Sequence, residues 1–144
     1  MVSQILVNLE VFSPEHIKSI LEIFGDLMAV QVDPNPLALG LETVADSTIE
    51  QVYDRFDTAG MRLHYGNVLR MMAGRHELIS SFLTIDSFKR LSGFINNAVF
   101  DISSEAISVT KEILMSDDPK VQEAVSFLAK IAKIHCLSNS KFEN

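Results

Sequence analysis

The sequence has little that would allow covalent cross-linking or binding to polyanions. It contains one cysteine, Cys136, no tryptophan, and no run of Lys or Arg longer than a dipeptide. A lone cysteine cannot form an internal disulfide, so the chain fits a reducing compartment. The formal net charge is -7, and binding to phosphates requires a basic stripe that is missing here. We therefore do not expect nucleic acid to be a ligand.

Long hydrophobic segments are also missing. No apolar run approaches the length of a membrane span. The first segment, "MVSQILVNLEVF", lacks a basic region and is interrupted by Glu10, which argues against a signal peptide. With 144 residues, 47% of them hydrophobic and 22% charged, the chain is typical of one folded globular domain. These features predict a cytoplasmic protein with no membrane partner.

Alternating strand patterns are absent, and the apolar residues instead recur at helical spacing. We predict an all-α fold of about seven helices in a single domain, 1–144. A helix over 14–31 begins with a Ser13 cap and Pro14, and it precedes the proline-containing turn "VDPNPLALG". The repeat units are expected at 46–100 and 101–135, and a tail at 136–144.

The stretch "NNAVFDISSEAISVTKEIL" predicts a helix with Asp101 as its N-cap. Its apolar residues follow the spacing i, i+4, i+7 and i+11, which indicates one buried stripe: Ile102, Ala106, Val109 and Ile113. Phe100 stands in front of this cap and has two interpretations. It is either a hydrophobic staple that packs on the following helix or an outward residue that contacts a partner.

The last predicted helix, 121–135, has a regular apolar face made of Val121, Ala124, Val125, Leu128, Ile131 and Ala132. Only 17 residues separate Asp101 from Asp118 (118 minus 101), which is too few for another three-helix repeat. This helix is expected either to skip part of a repeat or to cap the exposed end of a stack.

Two segments suggest a repeat. "DTAGMRLHYGNVLRMM" from Asp57 and "DISSEAISVTKEILM" from Asp101 both open with an aspartate and continue as a helix, 44 residues apart (101 minus 57). This period lies in the range of armadillo or HEAT units. An irregular bundle in which two aspartate caps coincide by chance explains the pattern equally well.

Residues typical of catalysis or metal binding are poorly arranged. The four histidines fall on separate predicted helices, and no HExxH pair occurs: His16, His64, His76 and His135. "DPNPLALG" begins like a calcium loop, but Ala38 stands where that loop needs glycine. No phosphate-binding glycine loop or G-x-S-x-G elbow is present. We predict no enzyme activity, no cofactor and no metal.

The segment "GNVLRMMAGRHE" carries the most suggestive polar residues. If the apolar stripe of its helix is buried, Arg62, Asn67 and Arg70 line the opposite side, and His76 follows the helix end. Such a basic strip on an acidic protein can recruit an acidic partner surface. Alternatively, these are ordinary solvated side chains, with His76 near the negative end of the helix dipole.

"GNVLRMMAGRHELISSFL" and the later "FDISSEAISVTKEIL" resemble, in order and spacing, two signatures of the calcium-binding protein 39 family, also called mouse protein 25. The resemblance is good from about Tyr53 to Leu114. It implies an α-solenoid of armadillo-like repeats that has no enzyme activity and no calcium site. The family's peptide pocket lies in a C-terminal half that has no counterpart in this sequence.

The resemblance further implies a scaffold that clasps a sterile-20-type kinase or pseudokinase on its concave face and holds it in the active form. The family's phenylalanine before Asp-Ile belongs to the kinase-contacting surface, and it falls on Phe100. The expected partner-binding residues are thus Phe100, with Arg62, Arg70, Asn67 and His76 as polar contributors. The alternative function is a self-associating structural protein that pairs through its exposed end layers.

Overall fold

The computed structural model describes residues 2–140 of the chain, with the side chains of 4–6 and 8–134. This part of the chain is helical throughout and has no strand, as predicted. Its α-helices are α1 Val2–Val7, α2 Pro14–Met28, α3 Pro36–Leu41, α4 Ala45–Arg55, α5 Arg62–Ala73, α6 Ile79–Phe82, α7 Ile85–Ile95, α8 Phe100–Leu114 and α9 Pro119–Ser140. A short 3₁₀ helix, Leu9–Val11, lies between α1 and α2, and another, Glu42–Val44, lies between α3 and α4.

Several helix ends follow local sequence signals, as predicted. The Ser13 hydroxyl accepts from the His16 N–H at the start of α2, and Pro14 is the first helical residue. The Thr84 hydroxyl accepts from the Ser87 N–H at 3.1 Å and caps α7. Gly74 ends α5.

Two helices were not predicted, which is why the described chain has more than the expected seven. One is α1, and the other is α3 inside the segment expected to be a turn. Asn35 explains α3, because its side-chain oxygen accepts from the N–H groups of Leu37 and Ala38, and Pro36 occupies the first helical position. The Asn-Pro pair therefore starts a helix instead of breaking the chain.

The predicted Asp101 cap is wrong. Helix α8 begins two residues earlier than that cap predicts, at Phe100, and its N-cap is Val99 in an extended conformation. Asn97 fixes this entry, because its side-chain oxygen accepts from the Val99 N–H at 2.9 Å. Asp101 lies in the first turn, where its charge still suits the positive end of the helix dipole.

Helix α5 lies at the centre of a layer of three long helices. It packs against α2 on one side and against α8 on the other. Arg62 and Asp101 line a common cleft at one end of the α5–α8 pair, and Gly74 lies near Glu112 at the other end, so these two helices run parallel. The helices of the two repeat segments therefore lie side by side, as they would in a stack of repeats.

The spacing between equivalent helices differs from the prediction. Helix α5 begins at Arg62 without a side-chain cap, five residues after Asp57, so the first residues of α5 and α8 are 38 positions apart (100 minus 62) and not 44. The error arose because neither aspartate marks the start of its helix. The arrangement of parallel, stacked helices remains that of an armadillo-like solenoid.

Helices α4, α6 and α7 form a second layer that packs on the first. Helix α4 packs on α1, α5 and α6, and α7 packs on α8. Tyr53 and Ser87 join α4 to α7 through a buried 2.8 Å hydrogen bond between their hydroxyls. Burial raises the pKa of Tyr53 to about 12, so this phenol stays neutral. Apolar side chains from both layers meet in one core.

Helix α9 departs from the predicted end of the chain. It runs to Ser140 and so extends into the segment 136–144, which was expected to be a tail; residues 141–144 lie outside the described part. It packs on α6 and α8. Val121 is buried, but Val125, Leu128 and Ile131 on its predicted apolar face are exposed. None of the described helices is long and apolar enough to cross a membrane.

The buried stripe of α8 is confirmed, since Ile102, Ala106, Val109 and Ile113 are all at most 3% exposed. We expect Ala106→Asp to lower the free energy of unfolding by roughly 3–5 kcal/mol, because it places an unpaired carboxylate in the core. Urea unfolding measures this loss. The control is Ile107→Asp on the neighbouring, exposed residue, which should cost far less; equal losses would mean that the register of α8 is wrong.

Candidate protein-binding surface

An apolar line runs along the solvent side of α8, opposite its buried stripe. Phe100, Ile107 and Leu114 are spaced by seven residues, which returns a helix to nearly the same face. Their exposed fractions are 78%, 53% and 45%. Helix α8 thus buries one apolar stripe and exposes another. Because Phe100 is exposed, the staple interpretation is wrong.

The adjacent side of α5 contributes a shorter line made of Leu63, Asn67 and Arg70. These residues are spaced i, i+4 and i+7 and lie opposite the buried residues Tyr65 and Leu69. Leu63 is 62% exposed. We call this line and the line on α8 together the outer face. The outer face combines four large apolar side chains with few free charges.

Arg70 is held on the outer face by an ion pair between the two helices. Its Nη1 lies 2.6 Å from Glu105 Oε2, and both side chains are about one-fifth exposed. Gly66 makes room for this pair, since a Cβ there would collide with the Glu105 carboxylate. Arg70 is therefore largely neutralised within the protein, and the predicted basic strip is weaker than the sequence suggests.

The two other polar residues predicted on α5 are also partly buried. The Arg62 guanidinium is half-buried and donates to the Asp57 carbonyl at 3.4 Å. It lines a cleft together with Asp101 and Glu105. Asn67 is half-buried and lies against α2. If residue 25 carried a Cβ, that atom would be only 3.3 Å from the Asn67 amide nitrogen, so Gly25 leaves the space that Asn67 occupies.

His76 belongs to a separate polar cluster beyond the end of α5. Its Nε2 lies 2.7 Å from Asp33 Oδ1 and 3.6 Å from Glu77 Oε1. The hydrogen bond to Asp33 raises the pKa of His76 above its ordinary value. Burial disfavours ionisation of Glu77, but hydrogen bonds from the N–H groups of Glu77 and Asn35 and the charges of His76 and Arg75 leave its pKa lowered.

Arg75 fastens this cluster to the segment before α3. Its guanidinium donates to the carbonyl oxygens of Val30 and Val32, at 3.4 and 2.9 Å. The side chains Asp33, His76 and Glu77 could supply three ligands to a metal ion. However, Asp33 and His76 are exposed, and the Arg75 Nε is 3.6 Å from Glu77 Oε2, so a positive charge already occupies this neighbourhood. The geometry favours a structural role, in which these residues hold the segment before α3 against the end of α5. We call Asp33, Arg75, His76 and Glu77 together the clasp.

The five predicted contact residues do not form one cluster. Phe100 and Arg62 lie at one end of the α5–α8 pair, Asn67 and Arg70 lie along α5, and His76 lies beyond the far end. The length of α5, at 1.5 Å per residue, separates the two ends by about 18 Å. A partner that touches all five would therefore have to cover the whole layer.

Sequence reasoning missed Leu63, Ile107 and Leu114. The seven-residue spacing of Phe100, Ile107 and Leu114 was visible, but an apolar residue outside the predicted stripe reads as an ordinary exposed side chain until burial is known. Glu105 was missed because its role depends on the contact with Arg70 across two helices. No local pattern indicates such a pair.

The stacked parallel helices and the apolar outer face define a helical-repeat protein with a surface suited to binding another protein. A sequence model of the family described as Mo25-like matches residues 1–141. The chain belongs to this family, which is a family of scaffold proteins and is not known as enzymatic. No curated protein matches the chain in a sequence comparison.

The His76–Asp33 contact predicts a pH-dependent stability. A histidine whose pKa is raised in the folded state stabilises the protein below the unfolded pKa of about 6.5, and this contribution is lost as the pH rises through the folded pKa. His76→Gln should therefore destabilise the protein more at pH 5.5 than at pH 8.5, by a small amount because the pair is exposed.

Urea unfolding at the two pH values measures this difference. The control is the same substitution in an Asp33→Asn background, where we expect the pH-dependent part to shrink to the smaller contribution of the Glu77 charge. An equal cost of His76→Gln at both pH values would show that the clasp does not depend on the imidazolium charge.

We also expect no measurable calcium affinity. The Asn35 side-chain oxygen accepts from Leu37 and Ala38, and its amide nitrogen donates to the carbonyls of Leu27, Met28 and Val30. Asn35 is thus unavailable as a ligand, whereas calcium takes six or more oxygen ligands. Isothermal titration calorimetry checks this expectation, and a stoichiometric micromolar site would contradict it.

Proposed function

We propose that the chain is a non-catalytic scaffold that binds a sterile-20-type kinase or pseudokinase on its concave face, which we assign to the outer face defined above, and stabilises the active conformation. The observation that carries the proposal is the exposed apolar line on α8, headed by Phe100. The family's kinase-contacting phenylalanine falls on this residue. Membership of a scaffold family supports the same role.

The composition of the outer face suits a protein partner. Exposed aromatic and aliphatic side chains that lie together mark interaction sites, and a central aromatic residue often supplies most of the binding energy. Leu63 and Ile107 extend the apolar area around Phe100. Arg70 contributes little free charge because Glu105 already pairs with it, so we assign it, Arg62 and Asn67 to orientation of the partner. His76 would contact a partner only at the far end of the layer.

Binding alone is sufficient to activate a kinase. A scaffold that binds the active conformation about 100-fold more tightly than the inactive one stabilises it by about 2.7 kcal/mol. No chemical step by the scaffold is needed.

The location we propose is the cytoplasm, where such kinases would be encountered. Fractionation of cells, followed by detection with an antibody to the chain, tests the location separately.

The test of the proposal is Phe100→Ala. Because Phe100 is exposed, the free energy of unfolding should change by no more than about 0.5 kcal/mol. Affinity for a sterile-20-type kinase domain should fall by ~2 kcal/mol or more, about 30-fold, as for a buried aromatic residue at an interface. Calorimetry of binding and thermal unfolding are measured on the same variant.

Ile85→Ala is the matched control. Ile85 is also the first residue of its helix, and it is 72% exposed on α7, outside the outer face. This variant should bind the kinase domain like the wild type, and Ile107→Ala should lose affinity to a smaller extent than Phe100→Ala. Wild-type affinity of the Phe100→Ala protein would remove the outer face as the kinase site.

A further inference from the structure

Helix α9 exposes far more apolar surface than a helix on the surface of a stable monomer needs. Phe127, Ile131 and Ile134 are spaced i, i+4 and i+7 and are 61%, 48% and 67% exposed. Val125 and Leu128 extend the apolar surface around the helix and are also exposed. A helix that is apolar around most of its circumference is normally covered.

A matching apolar groove lies at the other end of the chain. It is formed by α1, α2 and α3 and has a volume of about 290 Å³, and its walls include Ile5, Phe12, Ile20, Ile23, Leu27 and Leu37. Ligand pockets usually combine apolar walls with a few convergent polar groups. Since every residue that lines this groove is apolar, it suits large apolar side chains of a protein.

The two surfaces are on opposite sides of α5. The groove is next to α2, whereas α9 packs on α6 and α8. One copy of the protein, as folded here, cannot place its own α9 in its own groove. A second copy can do so, because its α9 is presented away from its own groove.

The charges favour contact between α9 of one copy and the groove of another copy over contact between two copies of α9. Helix α9 has three lysines and one glutamate, whereas the rest of the chain has nine basic and eighteen acidic residues. In α2, which forms a groove wall, Glu22 and Asp26 are exposed, and Lys18 already lies 3.5 Å from Glu15. The lysines of α9 would be attracted to this acidic helix. Pairing of α9 with another α9 would instead bring lysines together.

We propose that copies of this chain associate head to tail, with the apolar face of α9 in one copy docked in the α1–α2–α3 groove of the next. Such a contact joins two different surfaces, so every assembly keeps one free groove and one free α9 face, and it grows with concentration. It leaves the outer face of α5 and α8 accessible. The contact weakens, without disappearing, when salt screens its charged part.

Two one-sided variants test the proposal with the full chain. Phe127→Asp combined with Ile131→Asp removes the α9 face, and Ile23→Asp removes the groove. All three side chains are exposed, so melting temperatures should stay near the wild-type value. Sedimentation velocity over a concentration series should show association of the wild type, and an increase of about tenfold or more in the dissociation constant for either variant alone.

The mixture of the two variants gives the decisive result. Each variant retains one intact surface, so an equimolar mixture should form a dimer with one copy of each and grow no further. Ile85→Asp, a charge placed on an exposed apolar residue of α7, is the control and should associate like the wild type.

Three results would overturn the proposal. One is a wild-type protein that remains monomeric at roughly 100 μM, a concentration above the Kd of specific, stable contacts. The apolar face of α9 would then bind a different partner. Another is self-association of the Ile23→Asp variant with the dissociation constant of the wild type, which would indicate pairing of α9 with α9. The third is a mixture that stays monomeric. Kinase affinity is measured separately on the same variants, and it should stay at the wild-type value, so failure of self-association leaves the scaffold proposal untouched.

Discussion

The close packing of α5 between α2 and α8 is the constraint on which the rest of the molecule depends. Two glycines allow it. Gly25 accepts the side chain of Asn67 from α5, and Gly66 leaves space for Glu105 from α8. Because both flanks of α5 are occupied and its stripe of Tyr65, Val68 and Leu69 is buried, only one line of its side chains faces solvent. That line becomes part of the outer face.

The same packing gives α8 its two apolar stripes. Its inner residues complete the core, and its contact with α5 fixes its rotation about its own axis. Phe100, Ile107 and Leu114 must then face outward. Exposure of three large apolar residues costs solubility and adds no packing energy to the monomer. Their position is understandable if the line is a binding surface, which is why the proposed scaffold role rests on it.

The polar pairs between helices act mainly as positioning devices. The Arg70–Glu105 pair orients two side chains across the α5–α8 contact, and largely buried ion pairs of this kind add little net stability because the cost of desolvation offsets much of the attraction. The clasp holds the segment before α3 against the end of α5. The first arrangement lies between two helices of the layer and the second beyond the end of α5, while apolar burial supplies most of the stability.

The sequence by itself determined the helical class, the buried stripe of α8, and the starts of α2 and α7 at Ser13 and Thr84. These features depend on interactions within a few residues, namely helical periodicity and side-chain caps. The same local reasoning failed at Asp57 and Asp101, and at Asn35, because the residue that caps a helix is decided by how the chain enters it. Neither the unpredicted burial of Arg70 against Glu105 nor the separation of His76 from Phe100 has a local signature. Only the tertiary structure decided them. The ion pair joins residues 35 positions apart, and the separation of His76 from Phe100 depends on how α5 and α8 lie side by side. For the same reason, the apolar pattern of α9 indicated a helix, but its exposure followed from which neighbours the fold places beside it.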